Sequence, residues 1–267
     1  MLIRVSLAFF LMIQVHAATA SPLEEESEQL QTERLSSSEA REALNLPVVS
    51  ELRTATVLSF SDSDVQFWAN RAKAAHSAAP VEQGDLAKTY DIIIQLGHYP
   101  RKQGRTGGQG KFVNEQQMAA LVGVGLYRKL QELKFQGKTI STLLVSADDY
   151  TKGLKSKIFL SLHTDASVTP CSLGPSVGYQ GDKDEKGMHG IALALAITLG
   201  KDAERFMRDS YTRALQEYYA YRRFNVSLFK GVLEMSELTC PDDEKNLLLK
   251  ASQLSTNIAY AVQWALR

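Results

Sequence analysis

The amino-acid sequence predicts an α/β fold: a single domain with a mostly parallel central sheet flanked by helices. Three apolar runs, at 90–96, 139–146 and 158–164, are typical of strands that are buried on both faces of a sheet. Segments with apolar residues at helical spacing lie between and after these runs. Such alternation favours parallel pairing of the strands. In open sheets of this type, ligands bind at the carboxyl ends of the strands.

The remaining elements follow from local patterns. The helix at 114–136 has one apolar stripe, and Asn114 with Gln117 resembles a capping box at its start. Further elements are predicted as helices at 190–199 and 203–221, a short buried strand at 231–235, and a closing helix at 242–266. Upstream of the domain, 62–79 predicts a helix that Trp68 docks onto the main body.

The first twenty residues differ from the rest of the chain. Arg4 precedes an apolar run at 5–15, and Ala-Thr-Ala at 18–20 fits the small-x-small pattern at which signal peptidases cut. Residues 1–20 are therefore predicted to be a secretory signal peptide. An uncleaved anchor is the alternative, although the run is shorter than the roughly 20 residues that a membrane span needs.

Two more segments complete the predicted organisation. Residues 21–84 are rich in Glu, Gln and Ser and are expected to be helical or flexible, whereas 85–267 form the folded domain. No later stretch has the length of a membrane span, so we expect no stable membrane insertion after cleavage of the signal. The expected location is periplasmic or secreted.

Composition excludes some classes of partner. Hydrophobic residues make up 44% and charged residues 22% of the chain, which is typical of a globular protein. Thirty basic residues balance thirty acidic ones. Because there is no net positive field, we expect no nucleic acid as a partner.

The two cysteines, Cys171 and Cys240, leave two possibilities. In an oxidising compartment an even count favours a disulfide, and this pair is the only intramolecular bridge that the chain can form. The alternative is two free, buried thiols. A four-thiolate zinc site is excluded by the count.

Histidines occur where the predicted fold places its site. His98 follows the strand at 90–96, His163 ends the strand at 158–164, and Glu115 opens the helix that follows a glycine-rich loop. Two imidazoles and a carboxylate form a familiar catalytic Zn²⁺ set. Each residue also has an ordinary structural interpretation, as a hydrogen-bonded histidine or a favourable first-turn glutamate.

A carboxylate for proton transfer is also available. Glu234 lies in the apolar run at 231–235, where burial would raise its pKa into a range that suits a general acid or base. The alternative is an ion pair with a lysine or an arginine.

The sequence around these residues resembles the zinc-dependent N-acetylmuramoyl-L-alanine amidases, in the form of their type 3 catalytic domain, from about residue 91 to 267. Four blocks carry the resemblance: DIIIQLGHYPRKQGRTGGQGKFVNEQ at 91–116, IFLSLHTDAS at 158–167, GMHGIALALAITLG at 187–200 and GVLEMSELTCPDDEKNLL at 231–248. The first three are similar to the family's opening strand with its glycine-histidine and metal-binding glutamate, its second-histidine block, and the helix after the site. The last resembles the block with the catalytic glutamate.

The resemblance implies a role for each of these residues. His98, Glu115 and His163 would bind Zn²⁺, and Glu234 would be the catalytic acid/base. Asp165 would orient a ligand imidazole from outside the metal's own shell. A bridge between Cys171 and Cys240 would staple two loops beside the metal.

Two of the departures from the family pattern follow the first histidine and the catalytic glutamate, and a third is Cys240, which precedes the proline where an asparagine is common. Tyr99 and Pro100 follow the first histidine where glycines are usual, and Ser236 and Glu237 follow the catalytic glutamate where a glycine and an aromatic are usual. These departures put the walls of the pocket, and hence the substrate preference, in doubt.

The expected function is therefore hydrolysis of the amide between N-acetylmuramic acid and L-alanine in peptidoglycan, in remodelling or lysis of the cell wall. The partners would be peptidoglycan or muropeptides, with a protein activator of unknown identity. Two alternatives remain: a zinc amidohydrolase or peptidase that acts on another amide, and an inactive secreted protein of the same fold that binds the cell wall. His189 would contact substrate or act as a solvated helix cap, and His76 has no assigned role.

Overall fold

A five-stranded sheet lies at the centre of the computed structural model, which describes residues 61–149, 151–200 and 205–267. The order of the strands across the sheet is β4-β1-β5-β7-β6. Their bounds are β1 Thr89–Leu96, β4 Thr142–Ser146, β5 Leu154–Asp165, β6 Ser176–Gly178 and β7 Phe224–Glu237. The first four in the spatial order run parallel, and β6 pairs antiparallel with β7 at the edge. A small antiparallel hairpin of β2 (Lys134–Phe135) and β3 (Lys138–Thr139) precedes β4.

Helices lie on both faces of this sheet. One face is covered by α1 Asp62–Ser77, α2 Glu115–Glu132, α3 Asp182–Leu199 and α5 Pro241–Ala265, whereas the short α4 Arg213–Gln216 buries Leu215 on the other face. Ile92, Ile94 and Leu96 point into a large apolar cluster formed with α1, α2, α3 and α5. The alternate residue Ile93 points to the opposite face, where it packs with aromatic side chains of the segment 206–224. The predicted α/β fold with a mostly parallel sheet flanked by helices is confirmed.

Local sequence signals account for the helix that matters most to the site. Asn114 is the N-cap of α2, and it forms the predicted capping box with Gln117. The helix ends at Glu132, four residues before the predicted end, because the β2–β3 hairpin begins at Lys134. Glu115 is therefore the first residue of a well-capped helix.

The helix α1 packs on the main body. Val65, Ala69 and Ala72 are buried in the same core cluster as the sheet, and Trp68 packs against it. The predicted helix at 62–79 and the docking role of Trp68 are confirmed. The domain boundaries at 20 and 84 stay predictions, and the calls on residues 1–60, including the signal peptide, lie outside the described residues.

The helix predicted at 203–221 is wrong. In the described part of this segment, 206–212 is irregular, α4 spans only four residues, and a 3-10 helix covers Tyr219–Arg222. The apolar positions of this segment pack on the sheet as separate side chains, among them Met207, Tyr211 and Tyr221. Tertiary packing has overridden a helical pattern.

Two other elements are longer than predicted. The strand expected at 231–235 is the end of β7, which begins at Phe224, and the helix expected at 190–199 begins at Asp182. In the described residues, none of the helices has both the length and the apolar character that a membrane span requires.

Candidate metal centre

His98, Glu115 and His163 converge at the carboxyl ends of β1 and β5. Glu115 Oε1 lies 3.4 Å from His98 Nε2 and 2.9 Å from His163 Nδ1. The three ligand atoms all lie within 4.8 Å of one another, and within the described residues this is the one group of His, Cys, Asp and Glu with that property. Two imidazole nitrogens and a carboxylate oxygen fit the donor set of a catalytic zinc site.

The end of β1 places His98 against β5. The backbone N–H of Gly97 donates to Leu162 O at 2.9 Å. A Cβ atom at Gly97 would lie 2.5 Å from that oxygen and 2.7 Å from His163 Nδ1, so only glycine fits here. His98 itself has a φ of 57°, in the left-handed region that non-glycine residues rarely adopt.

The glycine-rich loop folds back over the site and brings Glu115 to it. The backbone N–H of Gly108 donates to Glu115 Oε2 at 2.8 Å, which leaves Oε1 facing the two histidines. The rest of the loop is held from α5, where Glu244 accepts the backbone N–H groups of Lys111, Phe112 and Val113 at 2.8, 2.8 and 2.9 Å. Glu244 is fully buried.

Each imidazole is also held through its second nitrogen. His98 Nδ1 lies 2.8 Å from the carbonyl oxygen of Arg105, and His163 Nε2 lies 3.0 Å from Tyr218 Oη. Because a carbonyl only accepts, His98 carries a proton on Nδ1 and presents an unprotonated Nε2 to the centre. Outer partners of this kind fix the orientation of metal-binding histidines.

The electrostatics of the site favour the forms that bind a metal. Burial lowers the pKa of the His98 imidazole. Burial alone would raise the pKa of Glu115, but the hydrogen bond from His163 and the neighbouring histidines hold it below its usual value. A neutral imidazole and an ionised carboxylate are the states in which these groups act as ligands.

Glu234 lies beside the centre on β7, directly across from His163 in the parallel register of β5 and β7. Its Oε2 atom is buried and has no hydrogen-bond partner among the described residues. Burial raises the pKa of Glu234 well above the usual carboxyl range, and the negative charges of Asp165 and Glu115 raise it further. A carboxyl group with a raised pKa is suited to the work of a general acid or base.

A pocket of about 630 Å³ opens over these residues. Its lining includes His98, His163, Glu234, Arg105 and Tyr218. The volume lies within the range of roughly 300–1,000 Å³ that is common for small-molecule sites. The two histidines and the carboxylate of Glu234 thus share one opening to solvent.

Asp165 and Tyr211 form the wall next to Glu234. Asp165 Oδ2 accepts a hydrogen bond from the Tyr211 hydroxyl, and both side chains line the pocket. The hydrogen bonds of the two histidine rings go to Arg105, Glu115 and Tyr218. A role for Asp165 in orienting a ligand imidazole stays a prediction.

The Cys171–Cys240 disulfide is present in the structure, with a Cα–Cα distance of 4.5 Å. It joins the loop after β5 to the start of α5. Glu237 supports the same loop, because its buried carboxylate accepts the backbone N–H groups of Cys171 at 2.9 Å and Leu173 at 2.7 Å. Glu237, which departs from the family pattern, therefore has a structural explanation: it supports this loop.

Two more histidines of the described residues lie away from the metal centre. His189, in α3, is 2.8 Å from Asp209 Oδ2, an oxygen that also accepts a hydrogen bond from the Tyr179 hydroxyl. His76, in α1, lies 3.4 Å from Gln116 Oε1 and packs edge-on against the ring of Tyr99. Tyr99, another departure, thus contacts the docked helix.

Three residues of the site escaped the sequence analysis: Gln95, Tyr218 and Glu244. Gln95 is the single polar residue of a buried apolar strand end, and that polarity was a signal of a buried hydrogen bond. Tyr218 was hidden because its segment was predicted to be a helix. Glu244 reads as an ordinary acidic residue of a first helical turn.

Comparisons with known proteins find similar solved structures. No protein-family model matches the chain, and the search of curated proteins gives no match. One similar structure is an N-acetylmuramoyl-L-alanine amidase, AmiC2, of Nostoc punctiforme, at 14% identity and a TM-score of 0.46, covering 64% of this chain and 93% of that one. Another is the catalytic domain of CwlV, an N-acetylmuramoyl-L-alanine amidase from Bacillus (Paenibacillus) polymyxa, at 15% identity and a TM-score of 0.44, covering 67% and 95%.

A further similar structure is the CwlD amidase from Clostridioides difficile in complex with the GerS lipoprotein, at 16% identity and a TM-score of 0.37, covering 67% of this chain and 95% of that one. The identities of these three structures all lie below 25% and their TM-scores below 0.5. The likeness therefore assigns no activity, and the chemistry of the site has to be argued from the residues of this chain.

Proposed function

We propose that this protein is a zinc-dependent hydrolase that cleaves the amide between N-acetylmuramic acid and L-alanine in peptidoglycan. The observation that carries the proposal is the convergence of His98, Glu115 and His163 beside Glu234, whose buried Oε2 lacks a partner among the described residues. A metal-binding set next to a carboxylate of raised pKa is the combination that hydrolysis of an amide requires.

His98, Glu115 and His163 would hold the ion. Bound zinc supplies a Lewis acid, which polarises a carbonyl and lowers the pKa of a water molecule. Each proposed ligand is held in place through an atom that it does not offer to the ion. The partners of these atoms are Arg105 O, Gly108 N and Tyr218 Oη.

Glu234 would move the proton. Its carboxylate takes a proton from the attacking water, and the protonated form then gives that proton to the departing amine. Burial raises the pKa of Glu234, and the negative charges of Asp165 and Glu115 raise it further, which favours the protonated form that the second step needs. The buried Oε2 atom is free to make this exchange, since the described residues offer it no hydrogen bond.

Peptidoglycan is the substrate that the resemblance of the four sequence blocks favours. The pocket supports an extended polar substrate, because it is open to solvent and lined by both charged side chains, such as Arg105, and aromatic ones, such as Tyr218. A partner protein that activates the enzyme belongs to the same proposal and has no identity yet.

Export to the periplasm or the exterior is also proposed. The signal-like residues 1–20 support it, and so does the Cys171–Cys240 bridge, since disulfides persist in oxidising compartments. Zinc as the metal is supported by the donor set.

The test is release of stem peptides from purified peptidoglycan by the zinc-loaded protein, measured as new L-alanine amino termini. Glu234→Gln should bind zinc normally and lose about 10²–10⁴-fold in rate, because the amide cannot exchange the proton. His98→Ala should lose both zinc and activity. Glu132→Gln, at the exposed end of α2 where it pairs with Lys129, is the matched control and should behave as the wild type.

Three results would overturn the proposal in different ways. Unchanged release by Glu234→Gln would exclude its proton-transfer role. Binding to cell wall without release at any pH would identify an inactive binding protein. Release from other acylated amines, with peptidoglycan untouched, would identify a different amidohydrolase.

A further inference from the structure

A set of polar side chains lies behind His163, inside otherwise apolar strands. Gln95 in β1 and Ser161 in β5 are both fully buried. Ser161 Oγ donates to Gln95 Oε1 at 3.0 Å, and Tyr218 Oη lies 2.9 Å from the same oxygen. Buried polar groups are costly unless they are paired, so a fully paired group of this kind indicates a defined arrangement of hydrogens.

Two backbone carbonyls fix the orientation of the Gln95 amide. Gln95 Nε2 lies 3.4 Å from Ser146 O and 3.3 Å from Tyr219 Oη, and the Tyr219 hydroxyl donates to Ala147 O. Because the hydrogen of Tyr219 is committed to a carbonyl, its oxygen accepts from Gln95. Both contacts therefore require the NH₂ group of Gln95 on this side, and its Oε1 on the side of Ser161 and Tyr218.

The same reasoning extends to the ring of His163. Gln95 Oε1 only accepts, so the short contact with Tyr218 Oη needs the single hydrogen of the tyrosine. The Tyr218 oxygen then has only lone pairs to offer His163 Nε2, which lies 3.0 Å away. If Tyr218 donated to His163 instead, two acceptor oxygens would face each other at 2.9 Å without a hydrogen.

We propose that Gln95 and Tyr218 are positioning residues, which hold the proton of His163 on Nε2 and present its Nδ1 to the metal. The carbonyl oxygens of Ser146 and Ala147 set the donor-to-acceptor direction of this series of hydrogen bonds. The proposal rests on the metal site of the proposed function and is independent of the substrate.

The two histidines thereby offer opposite nitrogens to one centre. His98 is protonated on Nδ1 by direct contact with a carbonyl, Arg105 O, and offers Nε2. His163 is protonated on Nε2 through two intervening side chains and offers Nδ1, which faces Glu115 Oε1 at 2.9 Å. When the metal is bound, it would take the place of the hydrogen that otherwise joins Nδ1 to the carboxylate.

The first experiment measures zinc affinity by competition with a chelator of known affinity. Tyr218→Phe removes the acceptor for the Nε2 proton and should weaken zinc binding about 10–100-fold, the usual effect of losing such an outer partner. Tyr221→Phe is the matched control: Tyr221 lies in the 3-10 helix that begins directly after Tyr218, and its hydroxyl donates to Leu215 O, away from His163. It should bind zinc as the wild type does.

The second experiment uses the wild type alone, so that it is informative even if Tyr218→Phe fails to fold. Nitrogen NMR of zinc-loaded protein with labelled histidines should distinguish the two zinc-binding rings. The His98 ring should carry its proton on Nδ1 and the His163 ring on Nε2. The Nε2 proton should exchange slowly with water, because it is hydrogen-bonded to Tyr218.

Two results would overturn the proposal. One is a His163 ring that carries its proton on Nδ1 in the zinc-loaded protein. The other is a folded Tyr218→Phe variant with wild-type zinc affinity. A wild-type protein that binds no zinc would instead overturn the metal site of the proposed function, so the two failures are distinguishable.

Discussion

Glu234 and Glu237 lie three residues apart on β7, and their surroundings give them different roles. The carboxylate of Glu237 is fully buried and accepts hydrogen bonds from the loop that carries Cys171. The carboxylate of Glu234 has a buried oxygen with no partner among the described residues. A paired carboxylate stabilises the fold, whereas an unpaired one costs stability and can react.

This cost predicts a pH-dependent difference in stability. The pKa of Glu234 is raised in the folded chain, so the folded state holds a proton that the unfolded chain has already released. The contribution of Glu234 to the free energy of unfolding is therefore most favourable below the pKa of the unfolded chain, about 4.3. It falls as pH rises towards the pKa of the folded chain. Zinc-free Glu234→Gln should become progressively more stable than zinc-free wild type over that interval.

Urea unfolding at a series of pH values measures the effect. Glu132→Gln serves as the control, since its exposed side chain should leave the pH dependence unchanged. A constant difference between Glu234→Gln and wild type across the series would contradict a raised pKa.

Single residues also show how far the sequence alone leads. His98, Glu115 and His163 were found because each stands at the end or the start of an element that its own pattern predicts. Tyr218 and Gln95 were not found from the sequence, because their hydrogen-bond partners come from three strands and an irregular segment. The polarity of Gln95 indicates a buried hydrogen bond, but no local signal identifies its partner Tyr218, which lies more than 120 positions away.

At the scale of elements, the start of α5 positions the start of α2. Glu244, in the first turn of α5, accepts three consecutive backbone N–H groups from the loop that leads to Asn114 and Glu115. The position of Glu115, a proposed metal ligand, thus depends on a carboxylate of another helix.

Glu244→Gln should uncouple these helices. The neutral amide accepts fewer of the three N–H groups, and its own NH₂ faces donors. A single hydrogen bond to a charged group contributes about 1.5–3 kcal/mol, so we expect at least that loss in the free energy of unfolding. Zinc binding should weaken as well, because Glu115 loses its support. Denaturant unfolding and chelator competition measure the two effects.

Glu185→Gln is the comparison for this variant, because Glu185 stands in the first turn of another helix, α3, and its side chain is 45% exposed. Wild-type stability in Glu244→Gln would show that the loop holds its shape without the carboxylate.

The strands β1 and β5 and the helices α2 and α5 were predicted near their observed bounds, whereas β6 and the β2–β3 hairpin were not predicted and the segment 203–221 was misassigned. Continuous apolar runs and caps are local, and they produced β1, β5 and α2 near their observed bounds. In the misassigned segment, aromatic side chains bury themselves one at a time on the sheet, which leaves the backbone irregular. Helix propensity does not report that side chains of a segment will pack one at a time on a sheet.

At the scale of the whole molecule, α1 completes the core on the face that bears α2 and α5. Val65, Ala69 and Ala72 are buried there, and His76 contacts Tyr99 next to the metal ligand His98. The helix therefore belongs to the same packed body as the sheet, although the predicted domain began at residue 85.

A chain that begins at residue 85 should be less stable than one that begins at residue 61. Burial of Val65 alone contributes about 1.5–3 kcal/mol, and removal of the helix also exposes apolar surface of α2. Thermal and urea unfolding of the two chains measure the difference. Equal stability would mean that α1 is an appendage and that the boundary at 85 is the true edge of the folded unit.

The left-handed backbone of His98 has a consequence for how this protein can evolve. A φ of 57° costs a non-glycine residue about 1–3 kcal/mol, against a total stability of only about 5–15 kcal/mol for a typical domain. Glycine at this position would relieve the strain while abolishing the ligand. Loss of the metal is therefore the direction in which folding alone would drive random drift. A lineage that retains histidine here is one in which selection for binding at this position outweighs selection for a more stable chain.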